Sequence, residues 1–310
     1  MTNWVVVGPG AVASVVAARL VEQQQPVFCA NRSGEPHELR VTGHTQHQSV
    51  LPNINEQPHR VADASWFIAV KAWQLQSVLS QFSAPLSHAG AVILSHNGFI
   101  HDPLTAPSFP ADRCFDWVTT HGSYRQNGTV VHSGLGESWL GLRQPAQQPT
   151  EQWPSAPNCH AVLAQAIAPV YWDSNIVQRR WHKLAVNCAI NAIASLANKP
   201  NGVVLEAEHR STVAGVCREV AAIMVAELQL AVAPQALAES MCLQALKVAE
   251  NTAQNTNSML QDLRNQQPTE IDYLNGFVHK KGQHLQVPTP FNTALYQRIK
   301  ALENKGFSLP

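Results

Sequence analysis

One stretch of the sequence decides the fold, and it reads Trp4-Val5-Val6-Val7-Gly8-Pro9-Gly10-Ala11-Val12-Ala13. A short apolar run leads into a glycine-rich turn, and the residues after it have helical periodicity up to Gln23. The stretch therefore predicts a buried strand, a tight turn and a helix. In that context the pattern G-x-G-x-x-A is typical of turns that bind the pyrophosphate of a dinucleotide.

The small residues of this turn each have a physical reason. Gly8 permits the tight turn, Gly10 lets the backbone approach a phosphate, and Ala13 lets the helix pack close to the strand. The helix that begins near Ala11 and Val12 offers free N–H groups and a positive dipole end to an anion. The alternative is a strand–helix turn that binds nothing. The position of the turn in an α/β pattern favours dinucleotide binding.

Further apolar runs continue this pattern through the first half of the sequence. They lie at Val27–Ala30, Trp66–Val70, Ala91–Leu94 and Phe115–Thr119. Short apolar runs separated by helical or polar stretches predict a doubly wound parallel sheet. The glycine-punctuated stretch 127–142 predicts antiparallel strands added at an edge, and 144–157, rich in Pro and Gln, predicts a loop. One more helix and strand are expected after that loop.

The second half of the sequence shows helical spacing only. Its helical stretches are Ile176–Asn198, His209–Ala231, Pro234–Thr256, Glu270–His284 and Phe291–Asn304. A chain of 310 residues is near the upper limit for a single core, which favours two domains. We predict an α/β N-terminal Rossmann-like dinucleotide-binding domain at 1–173, followed by an all-helical C-terminal domain at 174–310.

The composition excludes several classes of function. The 21 Lys and Arg residues balance the 21 Asp and Glu residues, which argues against a broad electrostatic nucleic-acid binder. There is no basic leader and no apolar run near the roughly 18 residues of a membrane span, so we expect a cytoplasmic protein without a membrane partner. The six scattered cysteines predict reduced core thiols, and neither a disulfide framework nor a metal site is expected.

The end of the second predicted strand bears on the choice of dinucleotide. NAD-specific folds usually place an acidic residue here, where it holds the ribose 2′-hydroxyl. This chain reads Cys29-Ala30-Asn31-Arg32-Ser33, without a carboxylate. Arg32 is available to pair with a 2′-phosphate, which favours NADPH over NADH. The alternative is a solvated surface arginine.

A polar stripe marks the first helix of the second half. Lys183, Asn187 and Asn191 have the spacing i, i+4, i+8 and share one helical face, while their neighbours are nearly all apolar. Burying an unpaired amide costs about 1–3 kcal/mol, and an unpaired ammonium costs more. The stripe therefore needs partners. Either other protein groups satisfy it, or it lines a cleft where a polar ligand does so; the spacing supports both equally.

Two further polar clusters stand at 255–262 and 269–276. In one interpretation Ser258 and Thr269 cap helices, and the carboxylates of Glu270 and Asp272 are favourable in a first turn. In the other, Ser258 and Glu270 lie beside the stripe and take part in the same site.

Together these segments resemble the ketopantoate reductase (2-dehydropantoate 2-reductase) family. The matches follow one another along nearly the whole chain, at Gly8–Ala13, Val70–Gln74, His96–Gly98, Lys183–Asn191, Pro200–Gly202, Ser258–Asp262 and Thr269–Phe277. The resemblance implies a Rossmann domain, a helical domain and a cleft between them. It also implies NADPH-dependent reduction of ketopantoate, a small 2-keto acid, to (R)-pantoate for pantothenate and coenzyme A synthesis, by a monomer or homodimer.

The resemblance implies roles for individual residues. Lys183 resembles the catalytic lysine that protonates the alkoxide as hydride arrives, and Glu270 resembles the glutamate that orients the site. The implied substrate-binding residues are Asn97, Asn187, Asn191, Asn201, Asn255 and Ser258. The implied cofactor-binding residues are Gly8, Pro9, Gly10, Ala11, Val12, Ala13, Arg32, Lys71, Asn97, Ser123 and Glu270.

The chain departs from the family at two places. Ala13 stands where the family commonly has glycine, and Phe99-Ile100-His101 stands where a glycine-containing turn often follows the His-Asn-Gly motif. Two other functions compete with ketopantoate reduction. One is a paralogous NADPH-dependent reductase of another small 2-keto acid. The other is a catalytically silent NADP(H) sensor, against which the retention of Lys183, Glu270 and the stripe asparagines argues.

Overall fold

The computed structural model describes residues 2–8, 10–100, 111–143 and 156–304. The chain divides into two compact units, Met1–His96 with Leu104–Val177, and Asn97–Pro103 with Gln178–Pro310. The expected loop at 144–157 lies, apart from its last two residues, outside the described ranges. Assigning NADP binding to 1–173 and catalysis to 174–310 stays a prediction.

The described strands all fall in the first unit. They are β1 Trp4–Val7, β2 Val27–Ala30, β3 His37–Gly43, β4 His47–Leu51, β5 Ser65–Ile68, β6 Ala91–Leu94, β7 Cys114–Thr119, β8 Gly122–Gln126, β9 Thr129–Gly134, β10 Ser138–Leu142 and β11 Val170–Trp172. Its helices are α1 Ala11–Glu22, α2 Leu75–Gln81, α3 Ser83–Ser87 and α4 Asn158–Ala166. The helix and strand expected after the loop are thus confirmed as α4 and β11.

The main sheet has the strand order β11-β10-β7-β6-β5-β1-β2. In this sheet the neighbouring pairs β7–β6, β6–β5, β5–β1 and β1–β2 are all parallel. Every residue of β1, β2, β5 and β6 is buried. β2 lies on one side of β1 and β5 on the other, so the strand order reverses at β1. In open α/β sheets this reversal is where ligands bind, at the carboxyl ends of the strands. The predicted Rossmann-like α/β fold is confirmed.

A second sheet of order β4-β3-β9-β8 departs from the prediction. The sequence pattern did not predict β3 and β4, because in β3 only Leu39 and Val41 are buried and the other side chains are polar or exposed. The stretch 127–142 does form strands, but β9 pairs in this second sheet and only β10 joins the main sheet, antiparallel to β7. β11 then covers β10, so β10 is not an edge strand.

A pair of histidines, the buried His132 on β9 and the partly buried His121 just before β8, are in contact. His121 Nδ1 lies 3.0 Å from His132 Nε2, and His132 Nδ1 lies 2.9 Å from Thr45 Oγ1. Burial lowers the pKa of His121 to about 4, and the neighbouring His132 and Arg19 add to that effect. Burial and His44 also lower the pKa of His132. The folded state therefore holds this pair neutral.

The neutral pair predicts acid sensitivity of the first unit. As pH falls from 6.5 towards 4, His121 becomes protonated in the unfolded chain but stays neutral in the folded protein. The free energy of unfolding therefore decreases over this range. We expect His121→Gln to remove about 1–2 kcal/mol of that decrease, after allowance for solvent screening. Urea unfolding at pH 7, 5.5 and 4.5 measures it, with exposed His59→Gln as the control. If the free energy of unfolding fell equally with pH in the wild type, His121→Gln and His59→Gln, His121 would not be the source of the acid sensitivity.

The second unit is helical in its described residues, as predicted. Most of α5 Ile176–Ala197 lies in it, followed by α6 Arg210–Leu228, α7 Pro234–Asn251, α8 Ser258–Arg264, α9 Asn275–Leu285 and α10 Pro290–Asn304. The single helix expected at 270–284 is wrong: a 3-10 turn at Ile271–Tyr273 precedes α9, because Leu274, with φ −107° and ψ −106°, breaks the helical backbone. None of the helices in the described ranges has the length and apolarity needed to cross a bilayer.

A buried carboxylate fixes α10 on α6. The Glu219 carboxylate accepts hydrogen bonds from the backbone N–H groups of Phe291 and Asn292, at 2.8 and 2.9 Å, and from the Asn292 side-chain amide at 2.7 Å. Gly215 lies one turn earlier on α6, and a Cβ there would come within 2.4 Å of the Phe291 ring. Glu219 thus satisfies the free N–H groups at the start of α10, where the helix dipole also favours a negative charge.

Candidate active site

The glycine-rich turn of the first unit has the geometry that its sequence predicts. Gly8 has φ +68°, and a Cβ there would come within 2.4 Å of Val70 Cγ1, so only glycine fits. A Cβ on Gly10 would meet nothing closer than 3.7 Å, which leaves its exposed backbone open to a ligand. Ala13, in the first turn of α1, is fully buried. Pro9 lies outside the described residues.

The start of α1 fits a phosphate. Gly10 is the N-cap, it makes no side-chain capping hydrogen bond, and the first turn carries no acidic residue. The backbone N–H groups of Ala11, Val12 and Ala13 precede the first intrahelical donor, Ser14, which bonds the Gly10 carbonyl at 3.0 Å. Such N–H groups and the helix dipole suit an anion. The residues present therefore fit the pyrophosphate of a dinucleotide.

The remaining expected cofactor residues of this unit lie on separate segments. Arg32 follows β2 in a turn built on the Asn31 side chain, which accepts from Gly34 N–H at 3.0 Å. The Arg32 side chain is exposed and, within the described part of the chain, has no ion-pair partner. Lys71 places its ammonium 5.7 Å from the Trp73 ring centre. Ser123 lies on β8, a strand that packs against α1.

The polar stripe lies on α5 in the second unit. Lys183 and Asn187 are half-buried and Asn191 is buried. Among the residues that the structure describes, the side chains of the two asparagines have no hydrogen-bond partner. The apolar residues between them, such as Leu184 and Cys188, are buried. Of the two interpretations of the stripe, the one in which a ligand completes these hydrogen bonds is therefore favoured for the asparagines.

Lys183 lies between opposing electrostatic influences. Burial lowers its pKa below the usual value of 10.5, Glu270 raises it, and Arg180 lowers it. Burial is the largest of these effects, so the net direction is downwards. A lysine with a lowered pKa gives up its proton more readily near neutral pH, which suits a general acid.

Asn97 and Glu270 meet although 173 positions separate them, since the Asn97 amide donates to Glu270 Oε2 at 2.8 Å. Glu270 is only 5% exposed. The turn that follows Asn97 is fixed as well: Gly98 has φ +68°, and Phe99 N–H donates to the Tyr273 carbonyl at 3.0 Å. Together with the effect of Glu270 on Lys183, this contact brings three expected site residues together from three segments of the second unit.

A set of contacts with α10 holds the segment that carries Glu270. Thr269 donates its hydroxyl and its backbone N–H to Glu303, at 2.7 and 2.8 Å. Asp272 accepts from Tyr296 at 2.8 Å and from Lys300 at 3.0 Å. Thr269 also accepts from Ile271 N–H at 3.2 Å. The interpretation of Thr269 as a helix cap is wrong, because the N-cap of the 3-10 turn that follows is Glu270. Glu270 is thus held from both sides along the chain.

The other expected substrate residues have different surroundings. Asn201 donates to Thr252 Oγ1 at 3.0 Å and accepts from Asn257 at 3.1 Å, and its backbone N–H donates to the Asn255 carbonyl. Ser258 is exposed at the first position of α8. The interpretation of Ser258 as a helix cap is wrong: the cap is Asn257, whose side chain accepts from Leu260 N–H at 3.0 Å. An Asn directly before an apolar helical run is the signal that identifies it.

Comparison with known proteins agrees with this architecture. The family model "Ketopantoate reductase PanE/ApbA" matches residues 4–145, and its C-terminal counterpart matches residues 175–303. The chain is 32% identical to the 2-dehydropantoate 2-reductase of Vibrio cholerae over 97% of its own length and 98% of that protein.

Solved structures show the same fold. A ketopantoate reductase from Ralstonia eutropha superposes with a TM-score of 0.77 at 22% identity, over 98% of this chain and 99% of that one. A D-mandelate dehydrogenase solved with NADH superposes with a TM-score of 0.82 at 19% identity, over 99% and 100% of the two chains.

A Rossmann-like unit with an open phosphate turn, followed by a helical unit with a half-buried lysine and a buried glutamate, defines this protein as an oxidoreductase. The two family models together cover most of the chain. The chain belongs to the ketopantoate reductase family.

Proposed function

We propose that this protein reduces 2-dehydropantoate (ketopantoate) to (R)-pantoate with NADPH, within pantothenate and coenzyme A synthesis in the cytoplasm. The observation that carries the proposal is the hydrogen bond between Asn97 and Glu270 in the second unit, with Lys183 near enough for the Glu270 carboxylate to raise the pKa of the lysine. Reduction of a ketone needs a proton donor for the oxygen and polar groups that orient the carbonyl, and these residues supply both. The name of the Vibrio cholerae relative supports the substrate.

The cofactor proposal depends on groups of the first unit. The pyrophosphate of NADPH would be held by the backbone from Gly8 to Ala13, and its 2′-phosphate by Arg32, with Lys71 and Ser123 as further contacts. When bound, NADPH supplies the hydride. The absence of a carboxylate after β2 and the exposure of Arg32 support NADPH over NADH.

Residues of the second unit handle the keto acid and the proton. Lys183 donates its proton to the ketone oxygen as that oxygen gains charge, and its ammonium stabilises the charge until then. Asn187 and Asn191 have amides free to bind the carboxylate and hydroxyl of the substrate, with Ser258 beside them in this role. Asn97 orients the reacting groups, and Glu270 holds Asn97 through their hydrogen bond. Asn201 and Asn255 support this surface through their contact.

Steady-state oxidation of NADPH by the purified protein tests the function. Ketopantoate is compared with other small 2-keto acids, phenylglyoxylate included, because a D-mandelate dehydrogenase shares the fold. Preferred turnover of ketopantoate supports the proposal. Faster turnover of another keto acid would show a paralogous reductase instead, and tight NADPH binding without turnover would show a sensor.

The role of Arg32 predicts a change in cofactor preference. Arg32→Ala should lower kcat/KM for NADPH by about 10–100-fold and leave kcat/KM for NADH nearly unchanged, because only NADPH has the 2′-phosphate. Arg40→Ala is the control, since Arg40 is an exposed arginine of the same unit that pairs with Glu38. Equal losses with both cofactors, or similar efficiency of the wild type with both, would refute the role of Arg32.

A further inference from the structure

Arg180 is a buried arginine one helical turn before Lys183. The residue is 9% exposed to solvent. The guanidinium lies 4.4 Å from the centre of the Phe99 ring, and Nη2 donates to the Gly98 carbonyl at 2.9 Å. A planar guanidinium makes both contacts at once, stacking on a ring and donating in its own plane. Arg180 therefore holds the turn at 97–99 on α5.

That turn carries a residue of the proposed site. Asn97 precedes Gly98 directly and donates to Glu270. On its other side, Phe99 donates to the Tyr273 carbonyl and packs on the rings of Trp181 and Phe277, with ring centres 4.9 and 5.1 Å away. The backbone of the turn is thus held by Tyr273 from one side and by Arg180 from α5, so the direction of the Asn97 amide depends on both.

We propose that Arg180 is a positioning residue for the reduction: its guanidinium fixes the 97–99 turn so that Asn97 and Glu270 meet the keto acid in one arrangement beside Lys183. This inference rests on the proposed function for its catalytic consequence. The clamp itself, meaning the contacts of the Arg180 guanidinium with the Phe99 ring and the Gly98 carbonyl, is a property of the fold. The sequence signal for it is Phe99, an aromatic residue directly after the turn glycine Gly98.

The charge of Arg180 has a second effect. Lys183 faces Glu270 from the 269–273 segment and Arg180 from its own helix. In that segment Tyr273 stays neutral, because burial, Asp272 and Glu270 raise its pKa above the usual value of 10.0. The positive guanidinium lowers the pKa of Lys183 and the Glu270 carboxylate raises it. Replacing Arg180 by a neutral residue therefore raises the pKa of Lys183, whereas lysine at 180 keeps the charge.

Two variants separate the clamp from the charge. Arg180→Lys keeps the charge and loses the planar fork, and Arg180→Met keeps much of the volume and loses both. We expect kcat with ketopantoate to fall about 10-fold in Arg180→Lys and about 100-fold in Arg180→Met, more than KM rises, because a displacement near 1 Å is enough for such losses. The decrease of kcat/KM at high pH should shift to a higher pH in Arg180→Met and stay where it is in Arg180→Lys. Arg218→Met, at an exposed arginine of α6, is the control.

Two measurements without turnover keep the inference testable if ketopantoate is not the substrate. Hydrogen exchange of the Phe99 amide should quicken at least 10-fold in both Arg180 variants, because its bond to Tyr273 loosens. Acetylation of Lys183, followed by peptide mass spectrometry across pH, should show a raised pKa in Arg180→Met alone. Unchanged exchange at Phe99, with kcat within 2-fold of the wild type, would overturn the proposal; if Arg180→Met does not fold, Arg180→Lys decides.

Discussion

We expect Lys183→Met to lower kcat for keto acid reduction by about 10³-fold or more, while the protein stays folded and still binds NADPH. A general acid contributes about 10²–10⁴-fold, and a positive charge at a developing oxyanion adds to that. Methionine keeps the length and apolar contacts of the lysine stem, so the packing of α5 is preserved. Kinetics with saturating NADPH measure the loss, and circular dichroism with thermal unfolding measures the fold.

Lys199, an exposed lysine two residues after the end of α5, provides the control for Lys183→Met. Lys199 follows α5, its side chain is 57% exposed, and it pairs with Glu206 at 3.4 Å. Lys199→Met should leave kcat within about 2-fold of the wild type, as expected for an exposed ion pair. A loss below 10-fold in Lys183→Met, or unfolding of that variant with little change in rate per folded molecule, would make Lys183 a structural residue.

The pH profile gives an independent view of Lys183. Activity requires the protonated lysine, so kcat/KM decreases as pH rises through its pKa. Burial lowers that pKa from 10.5, which places the decrease below the range of an ordinary lysine. The decrease should be absent from the residual activity of Lys183→Met.

We expect the second large effect from Gly98→Ala, a loss of about 100-fold in kcat/KM. A Cβ at position 98 would lie 2.0 Å from the Tyr273 carbonyl oxygen and 3.2 Å from Leu274 Cδ2. The first distance is to backbone, which cannot rotate away, so the turn and the 271–273 segment must separate. That separation moves Asn97 from Glu270, and displacements near 1 Å cost about 10²-fold in rate.

A second glycine isolates the steric part of this effect. Gly128 has φ +78°, close to the +68° of Gly98, and a Cβ there would meet nothing within 4 Å. Gly128→Ala carries the backbone cost of about 1 kcal/mol without the clash. We expect its kcat/KM to stay near the wild-type value. Equal losses in the two variants would mean that the site does not depend on the contact between Gly98 and Tyr273.

The first unit shows which strands and turns the local sequence pattern predicts and which it does not. The run from Trp4 to Ala13 predicted a strand, a turn and a helix, and Gly8 adopts the positive φ that its place in the motif requires. The strands at Val27–Ala30 and Ala91–Leu94 are buried at every position, so their signal is strong. β3 and β4 went unpredicted, because few of their residues enter the core. In addition, β9, which pairs with β3, lies about 90 residues further along the chain.

The candidate site also has features that the local sequence predicts and contacts that it does not. The i, i+4, i+8 spacing of Lys183, Asn187 and Asn191 is a local property, and helix geometry alone places these residues on one face of α5. The contact between Asn97 and Glu270 is not local, and only the family resemblance suggested that the two residues belong together. Asn257 was overlooked as the cap of α8 in favour of its neighbour Ser258, an error of one position.

The sequence by itself determined the family, the α/β and helical halves, and the residue types available for chemistry, because periodicity and motif spacing depend on neighbours along the chain. The tertiary structure decided which of those residues meet. It paired Asn97 with Glu270, set the charges around Lys183, tied Asn201 into contacts with Thr252 and Asn257, and stacked Arg180 on Phe99. Contacts between residues far apart in sequence depend on how helices pack, and that packing is the combined result of many weak contacts that no single segment encodes.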